Sequence, residues 1–192
     1  MRYLNIKILG IIAIIGAPWE LIDFIDNGLY DRFVLTSISD IRNFIFMTGW
    51  ICAVMGLYKL HQPVSTKGQR IVFWIQLLLL FLANIWNFIE ITDPHNTSIL
   101  FSLLTPAWPV GGLFMVVTAI VIIGANKLKG WKKYMPLLAS LWFPQTMFLA
   151  LTKQMSFTSF MLCGIYSAIS FGLLGFSLIT ISNEQVERGV II

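Results

Sequence analysis

Six long runs of apolar residues, separated by short polar segments, fill most of this chain. A helix needs about 20 mostly apolar residues to cross the hydrocarbon core of a bilayer. By this criterion the sequence predicts six transmembrane spans, at residues 6–24, 41–60, 71–91, 99–124, 135–151 and 157–181. The predicted fold class is therefore all-α, an integral membrane bundle of six transmembrane helices. Residues 1–182 form the transmembrane domain, and residues 183–192 form a short cytoplasmic tail.

The composition indicates the same class. Of the 192 residues, 57% are hydrophobic and only 11% are charged, whereas a soluble domain has roughly 25% charged residues. This argues against a soluble enzyme, a secreted disulfide scaffold and a disordered regulator. Cys52 and Cys163 each lie alone within an apolar run, which is typical of small buried hydrophobic residues.

The positions of the 13 lysine and arginine residues predict the orientation of the spans. Ten of them fall on one side of the predicted membrane: Arg2, Lys7, Lys59, Lys67, Arg70, Lys127, Lys129, Lys132, Lys133 and Arg188. The other three fall on the opposite side: Arg32, Arg42 and Lys153. Because cytoplasmic loops carry the excess of basic residues, we expect both termini in the cytoplasm. The odd-numbered spans then run outward, and the loop at 25–40 lies on the outer face.

Polar side chains recur at the outer end of the third span, in the stretch ANIWNFIEITDP. Asn84, Asn87 and Glu90 follow one another at intervals of three residues, which keeps them on one broad face of a helix. Carboxylates and carboxamides are costly in hydrocarbon, so inside a span they indicate a functional site by default.

The first span ends in a similar way, in the stretch GAPWELIDFIDN. An alignment of Trp19 with Trp86 also matches three polar pairs: Glu20 with Asn87, Asp23 with Glu90, and Asp26 with Asp93. If the first and third spans pack together, these stripes converge on one outward-facing cavity. The predicted site contains six residues: Glu20, Asp23, Asn84, Asn87, Glu90 and, from the fifth span, Gln145.

Such a set of side chains suits three kinds of chemistry: binding of a cation, proton coupling, and general acid catalysis on an apolar substrate. Two structural alternatives remain. Asp23, Asp26 and Asp93 could lie in the headgroup region and only solvate the helix ends. Glu20 or Glu90 could instead form an ion pair with Arg42 of the second span.

The chain can also be divided into three helical hairpins. Their first members contain Trp19, Trp86 and Trp142, and their second members begin near Gly49, Gly111 and Gly164. Repeats are common in membrane folds, so this pattern predicts three repeated hairpins, with a chance match as the alternative. In the fourth span, the stretch TPAWPVGG at 105–112 predicts a helix interrupted by its prolines, either at a binding site or simply at a helix start.

The sequence predicts neither a metal site nor a cofactor. His61 and His95 lie in loops on opposite sides of the predicted membrane, and no HxxxH or HExxH motif occurs. There is also no GxSxG motif, no Walker A motif and no glycine-rich dinucleotide loop. The basic residues are accounted for by orientation, so the expected partner is the lipid bilayer and not nucleic acid.

Two stretches resemble known families. The segment GANKLKGWKKYMPLLASLWFP, at 124–144, resembles a stretch of small bacterial polytopic membrane proteins, which implies the class but no activity. The Trp-acid positions in PWELIDF and WNFIE are similar to those of integral-membrane terpene cyclases. Those enzymes protonate an epoxide or alkene with a carboxylic acid inside a helical bundle that typically has seven spans. This resemblance implies Glu20 as a proton donor.

Three functions remain open at this stage. The first is binding or transport of a small solute, cationic or proton-coupled, in an outward-facing acidic and amide pocket. The second is a membrane-embedded enzyme that acts on a lipid or isoprenoid through an intramembrane carboxylic acid. The third is an assembly or sensory subunit, which would act within an oligomer or beside a partner protein.

Overall fold

The structure is a computed structural model that describes residues 2–29, 37–61, 66–94, 97–126, 128, 130–152 and 156–187. Within these ranges the chain is helical and contains no strand. The α-helices are α1 (Arg2–Gly16), α2 (Pro18–Leu29), α3 (Ser37–His61), α4 (Lys67–Thr92), α5 (Ile99–Leu104), α6 (Ala107–Ala125), α7 (Met135–Ser140), α8 (Trp142–Leu151) and α9 (Phe157–Glu187). A short 3₁₀-helix, Gly130–Tyr134, precedes α7.

The predicted spans are confirmed. Six helical segments are long and apolar enough to cross a membrane, at Asn5–Asp26, Ser39–His61, Lys67–Thr92, Ile99–Ala125, Gly130–Leu151 and Phe157–Ile181. We number them spans 1 to 6 in chain order. The chain is thus a multi-pass membrane protein whose exposed isoleucine, leucine and phenylalanine side chains contact the lipid bilayer. The loop between spans 1 and 2 is shorter than the predicted 25–40, since α2 continues to Leu29 and α3 begins at Ser37; residues 30–36 lie outside the described part.

The spans form a ring in chain order. Each span packs against the next one, and span 6 closes the ring by packing along both helices of span 1. Span 2 therefore lies between spans 1 and 3, and also touches span 6. Spans 1 and 3, whose direct packing was the condition for a shared cavity, are instead both neighbours of span 2.

Glycines permit the closest helix crossings. A Cβ atom on Gly16 would lie 2.8 Å from the Cα of Gly49, where span 1 crosses span 2. A Cβ atom on Gly10 would lie 2.8 Å from the carbonyl oxygen of Gly175, where span 1 crosses span 6. Small residues at such crossings let helix backbones approach in lipid, where there is no hydrophobic driving force between helices. These contacts fix span 1 between its two neighbours.

An aromatic cluster fills the middle of the bundle. It consists of Phe46, Trp50, Trp108, Trp142, Phe143 and Phe171, which come from spans 2, 4, 5 and 6. The rings of Trp50 and Trp142 meet edge to face with their centroids 6.1 Å apart, a favourable geometry for aromatic pairs. This cluster holds spans 2, 4, 5 and 6 together across the ring.

Three spans are interrupted where a proline prevents a regular helix. Span 1 divides at Ala17, just before Pro18, and span 4 divides at Thr105 and Pro106, as its sequence predicts. Span 5 divides at Leu141, three residues before Pro144. A proline cannot donate the helical hydrogen bond, so a carbonyl of the preceding turn loses its usual partner. At the break in span 5, the hydroxyl of Tyr166 donates a 2.6 Å hydrogen bond to the carbonyl oxygen of Leu138.

Candidate functional site

A cavity of about 520 Å³ lies inside one end of the bundle. Every span contributes to its wall: Glu20, Asp23 and Phe24 from span 1, Asn43 from span 2, Trp86 and Asn87 from span 3, Thr105, Trp108 and Pro109 from span 4, Phe143, Thr146, Met147 and Ala150 from span 5, and Phe160 from span 6. Small-molecule sites in proteins commonly have volumes of about 300–1,000 Å³. The cavity is therefore large enough for a small organic molecule. We call the end of the bundle where it lies the acidic end.

Two carboxylates of span 1 face the cavity. Glu20 follows Pro18 in the first turn of α2, and Asp23 lies one turn further on. Both side chains line the cavity, yet Glu20 is only 4% exposed and Asp23 only 5%. Their carboxyl groups are near enough to repel each other. A new helix thus begins after the proline break, and its first two turns direct the carboxyl groups of Glu20 and Asp23 into the cavity.

Arg42 of span 2 partly compensates this charge. Its Nη1 atom lies 3.8 Å from Oδ1 of Asp23, and its Nη2 atom forms an ion pair with Asp26. Arg42 is partnered with these aspartates and not with Glu20 or Glu90, which were the partners considered from the sequence. Among the described residues, the Glu20 carboxylate has neither a hydrogen-bond nor an ion-pair partner.

Span 3 supplies an amide to the cavity wall. Nδ2 of Asn87 donates to Oδ1 of Asn84 at 3.5 Å, and Nδ2 of Asn84 donates to Oγ1 of Thr48 at 3.1 Å. The Thr48 hydroxyl in turn donates to the carbonyl oxygen of Phe44 at 2.8 Å. Asn87 lines the cavity, whereas Asn84 lies behind it in this relay. Since Nδ2 of Asn87 is engaged, its Oδ1 atom remains to accept a hydrogen bond from an occupant.

A second carboxylate pair lies behind the wall. Asp40 of span 2 and Glu90 of span 3 are buried but do not line the cavity. The carboxyl groups of Glu90 and Asp23 both repel that of Asp40. Oδ1 of Asp40 and Oε2 of Glu90 are buried without a hydrogen-bond partner among the described residues. The acidic end therefore holds more carboxyl groups than Arg42 alone can pair with.

The opposite wall is apolar and largely aromatic. On α8, the side chains that line the cavity are Phe143, Thr146, Met147 and Ala150, which are spaced as one face of a helix. The ring of Trp108 meets that of Phe143 edge to face, with centroids 4.9 Å apart. The carboxylates and amides that line the cavity thus come from spans 1 to 3, and the lining from spans 4 to 6 is mainly aromatic and apolar. Phe24 of span 1 and Trp86 of span 3 add two further aromatic side chains.

The structure brings together three of the six predicted site residues: Glu20, Asp23 and Asn87 all line the cavity. Gln145 does not line it and is exposed on another face of α8. The neighbouring Thr146 takes the inward position, because one residue along a helix turns the side chain by about 100°.

Two polar residues at the acidic end lie outside the predicted site. Asn43 lines the cavity, and Asp40 is buried beside Glu90. The signal for both was present in the sequence, since Asp40 and Asn43 have the same three-residue spacing as Glu20 with Asp23. Because Asp40 was assigned to the outer loop, Asp40 and Asn43 were not recognised as a polar pair on one helix.

Neither a search for metal-binding groups nor a comparison with known proteins identifies a ligand for the cavity. Among the residues that the structure describes, no group of three or more His, Cys, Asp and Glu side chains is arranged to hold a metal ion. No protein-family model, no curated protein and no solved structure matches this chain.

Proposed function

We propose that this protein binds a small, positively charged solute in the cavity at the acidic end and carries it across the membrane. The observation that supports this most directly is the environment of Glu20. Its carboxylate is buried, lines the cavity and has no cationic partner among the described residues. A charge buried in low dielectric is costly unless an opposite charge compensates it. A bound cation would supply that compensation.

The neighbouring groups favour a cation over an anion. Asp23 and Asn87 offer further oxygen atoms to the cavity, and Asp40 and Glu90 add negative charge behind its wall. Arg42 is engaged by two aspartates. An anionic solute would meet carboxylates at short range, where the repulsion of like charges is large. Proton coupling is a natural extension, because a carboxyl group can exchange its cation for a proton.

The shape of the bundle favours transport. Two members of the aromatic cluster, Trp108 and Phe143, line the cavity, so the packed interior of the bundle borders the proposed site. Interrupted helices line substrate sites in many transporters and provide positions at which a span can bend. Spans 1, 4 and 5 are interrupted next to the cavity. Alternating access would require these spans to move relative to the aromatic cluster.

We place the protein in a bacterial cytoplasmic membrane with both termini in the cytoplasm. The support is the distribution of basic residues, ten against three across the predicted membrane. An even number of spans is consistent with both termini on one side. In this orientation the acidic end faces outward, and the cavity would load its solute from outside the cell.

A membrane-embedded enzyme is the second candidate. The observation that favours it is the aromatic wall of spans 4 to 6, which lies across the cavity from Glu20. A lipophilic substrate against that wall could be protonated by the Glu20 carboxylic acid, as the similarity to integral-membrane terpene cyclases implies. In this function the bound molecule would be an isoprenoid or another lipid, and it would be chemically altered.

Native mass spectrometry of the protein in mild detergent separates these functions. The wild type is compared with Glu20→Gln and with Asp26→Asn, a matched control that removes a half-exposed carboxylate outside the cavity. We expect a small cation bound to the wild type and to Asp26→Asn but absent from Glu20→Gln. A bound isoprenoid with the same pattern would support the enzyme. A stoichiometric protein partner, with no small molecule in any variant, would contradict both and favour a subunit.

A further inference from the structure

The two-sided wall of the cavity restricts the kind of cation that it fits. A bare metal ion or ammonium ion would contact only the carboxylates and amides of spans 1 to 3, leaving most of the 520 Å³ unfilled. Apolar surface that stays in contact with water, or with nothing, contributes no binding energy. A ligand that uses the whole cavity must also carry an apolar part.

The apolar side has the chemistry for such a part. Trp108 and Phe143 present aromatic surface, and Met147 and Phe160 complete that side. Aromatic rings pack favourably against the apolar and aromatic groups of a ligand, in edge-to-face or offset-stacked arrangements. The distribution of groups therefore matches a substituted ammonium with its charge toward Glu20 and its apolar substituent toward Trp108.

The cavity also reaches the surface that faces lipid. Two of its lining residues, Thr105 of span 4 and Ala150 of span 5, are exposed. The adjacent side chains of Leu103 and Leu151 are strongly exposed, at 71% and 77%. Helix α5 packs on α4 and α6, and its contact with α8 is at most slight. The boundary between α5 and α8 is therefore loosely packed, apolar at its rim and within two membrane-spanning segments, and we call it the gap between spans 4 and 5.

From these observations we infer that the ligand is an amphiphilic organic cation, an ammonium with an apolar or aromatic substituent, which enters between spans 4 and 5 from the bilayer. This inference rests on the proposed function and specifies its substrate class. Amphiphilic cations concentrate at the membrane surface, with the charge in the headgroup region and the apolar part in the hydrocarbon. A side entrance beside the acidic end would receive them in that orientation.

The test compares two probes of equal charge, tetramethylammonium and benzyltrimethylammonium. Binding is measured by equilibrium dialysis against the full chain in lipid nanodiscs. Burial of one aromatic ring corresponds to at least about tenfold in affinity, so we expect benzyltrimethylammonium to bind tighter by that factor. Equal affinities would overturn the inference while leaving a cation site intact. No binding of either probe would overturn the proposed function as well.

Two variants test which side chains contact the apolar substituent of the ligand. Trp108→Leu keeps apolar volume but removes the aromatic face, and we expect it to weaken the binding of benzyltrimethylammonium by about 2- to 10-fold and that of tetramethylammonium by less. Phe160→Leu is the second variant, needed because Trp108 also packs on Trp142 and its loss could disturb folding. If both variants fold and both retain the full preference for the benzyl compound, the assignment of the apolar side is wrong.

Discussion

Nη1 of Arg42 in span 2 lies 3.8 Å from Oδ1 of Asp23 in span 1, and the same guanidinium is paired with Asp26. The arginine thus compensates the two aspartates nearer the end of α2 and leaves Glu20, one turn deeper, without a cation among the described residues. The acidic end thus has two parts. Asp23 and Asp26 form a structural part with Arg42, whereas Glu20 is available to bind a ligand.

Replacement of Arg42 by glutamine should destabilise the bundle. Asp23 would stay buried after losing this cation, and breaking a buried pair in this way costs on the order of 3 kcal/mol. Unfolding of the purified protein in mixed detergent micelles would measure the change. The double variant Arg42→Gln with Asp23→Asn should recover most of the lost stability. A single variant as stable as the wild type would mean that the ion pair has no structural role.

Replacement of Gly49 by alanine should loosen the contact between spans 1 and 2. The new Cβ atom would lie 3.0 Å from the Cα of Gly16, a backbone atom that cannot yield without moving the helix. Overpacking of this kind costs about 1–3 kcal/mol. Gly172→Ala is the matched control, since its Cβ atom would meet nothing within 4 Å. Equal stability of the two variants would contradict the close crossing.

Replacement of Ala150 by tryptophan should obstruct the gap between spans 4 and 5. We expect benzyltrimethylammonium to bind about tenfold more weakly or correspondingly more slowly, because the new side chain takes up the space of a buried aromatic ring. Phe148→Trp on the same helix is the control, as Phe148 is 62% exposed and does not line the cavity. An effect of the same size at both positions would argue against a side entrance.

The orientation can be tested by cysteine labelling in intact cells. Gly68→Cys reports the predicted cytoplasmic side and Thr97→Cys the predicted outer side, and both positions are exposed. The native Cys52 and Cys163 are first replaced by alanine. We expect an impermeant maleimide to label position 97 in intact cells and position 68 only after permeabilisation. The reverse pattern would invert the topology and turn the acidic end toward the cytoplasm.

The sequence predicted the spans to within a few residues because hydropathy over about 20 residues depends only on local composition. The spacing of side chains also predicted that Glu20 and Asp23 share one face of their helix, and both line the cavity. That Asn87 of span 3 lines the same cavity depends on helix packing, which the sequence offered only as a condition. The break in span 4 followed from Pro106.

The remaining features depend on how the helices pack, which a single sequence does not specify. Arg42 pairs with Asp23 and Asp26 and not with Glu20 or Glu90, the partners in one alternative left open by the sequence, because the choice depends on the rotation of span 1 against span 2. Gln145 was assigned to the site from its proximity to Pro144, whereas α8 turns Thr146 inward. The aromatic wall opposite Glu20 was not anticipated, because aromatic residues in a span are equally compatible with contact to lipid.

The central claim is that the Glu20 carboxylate holds the positive charge of a ligand. The most direct measurement is the affinity of radiolabelled benzyltrimethylammonium for the wild type, Glu20→Gln and Asp26→Asn in lipid nanodiscs. Removal of one member of a buried charge pair corresponds to a loss of at least about 30-fold in affinity. We expect that loss in Glu20→Gln and near wild-type binding in Asp26→Asn. Wild-type affinity in a folded Glu20→Gln variant would contradict the claim.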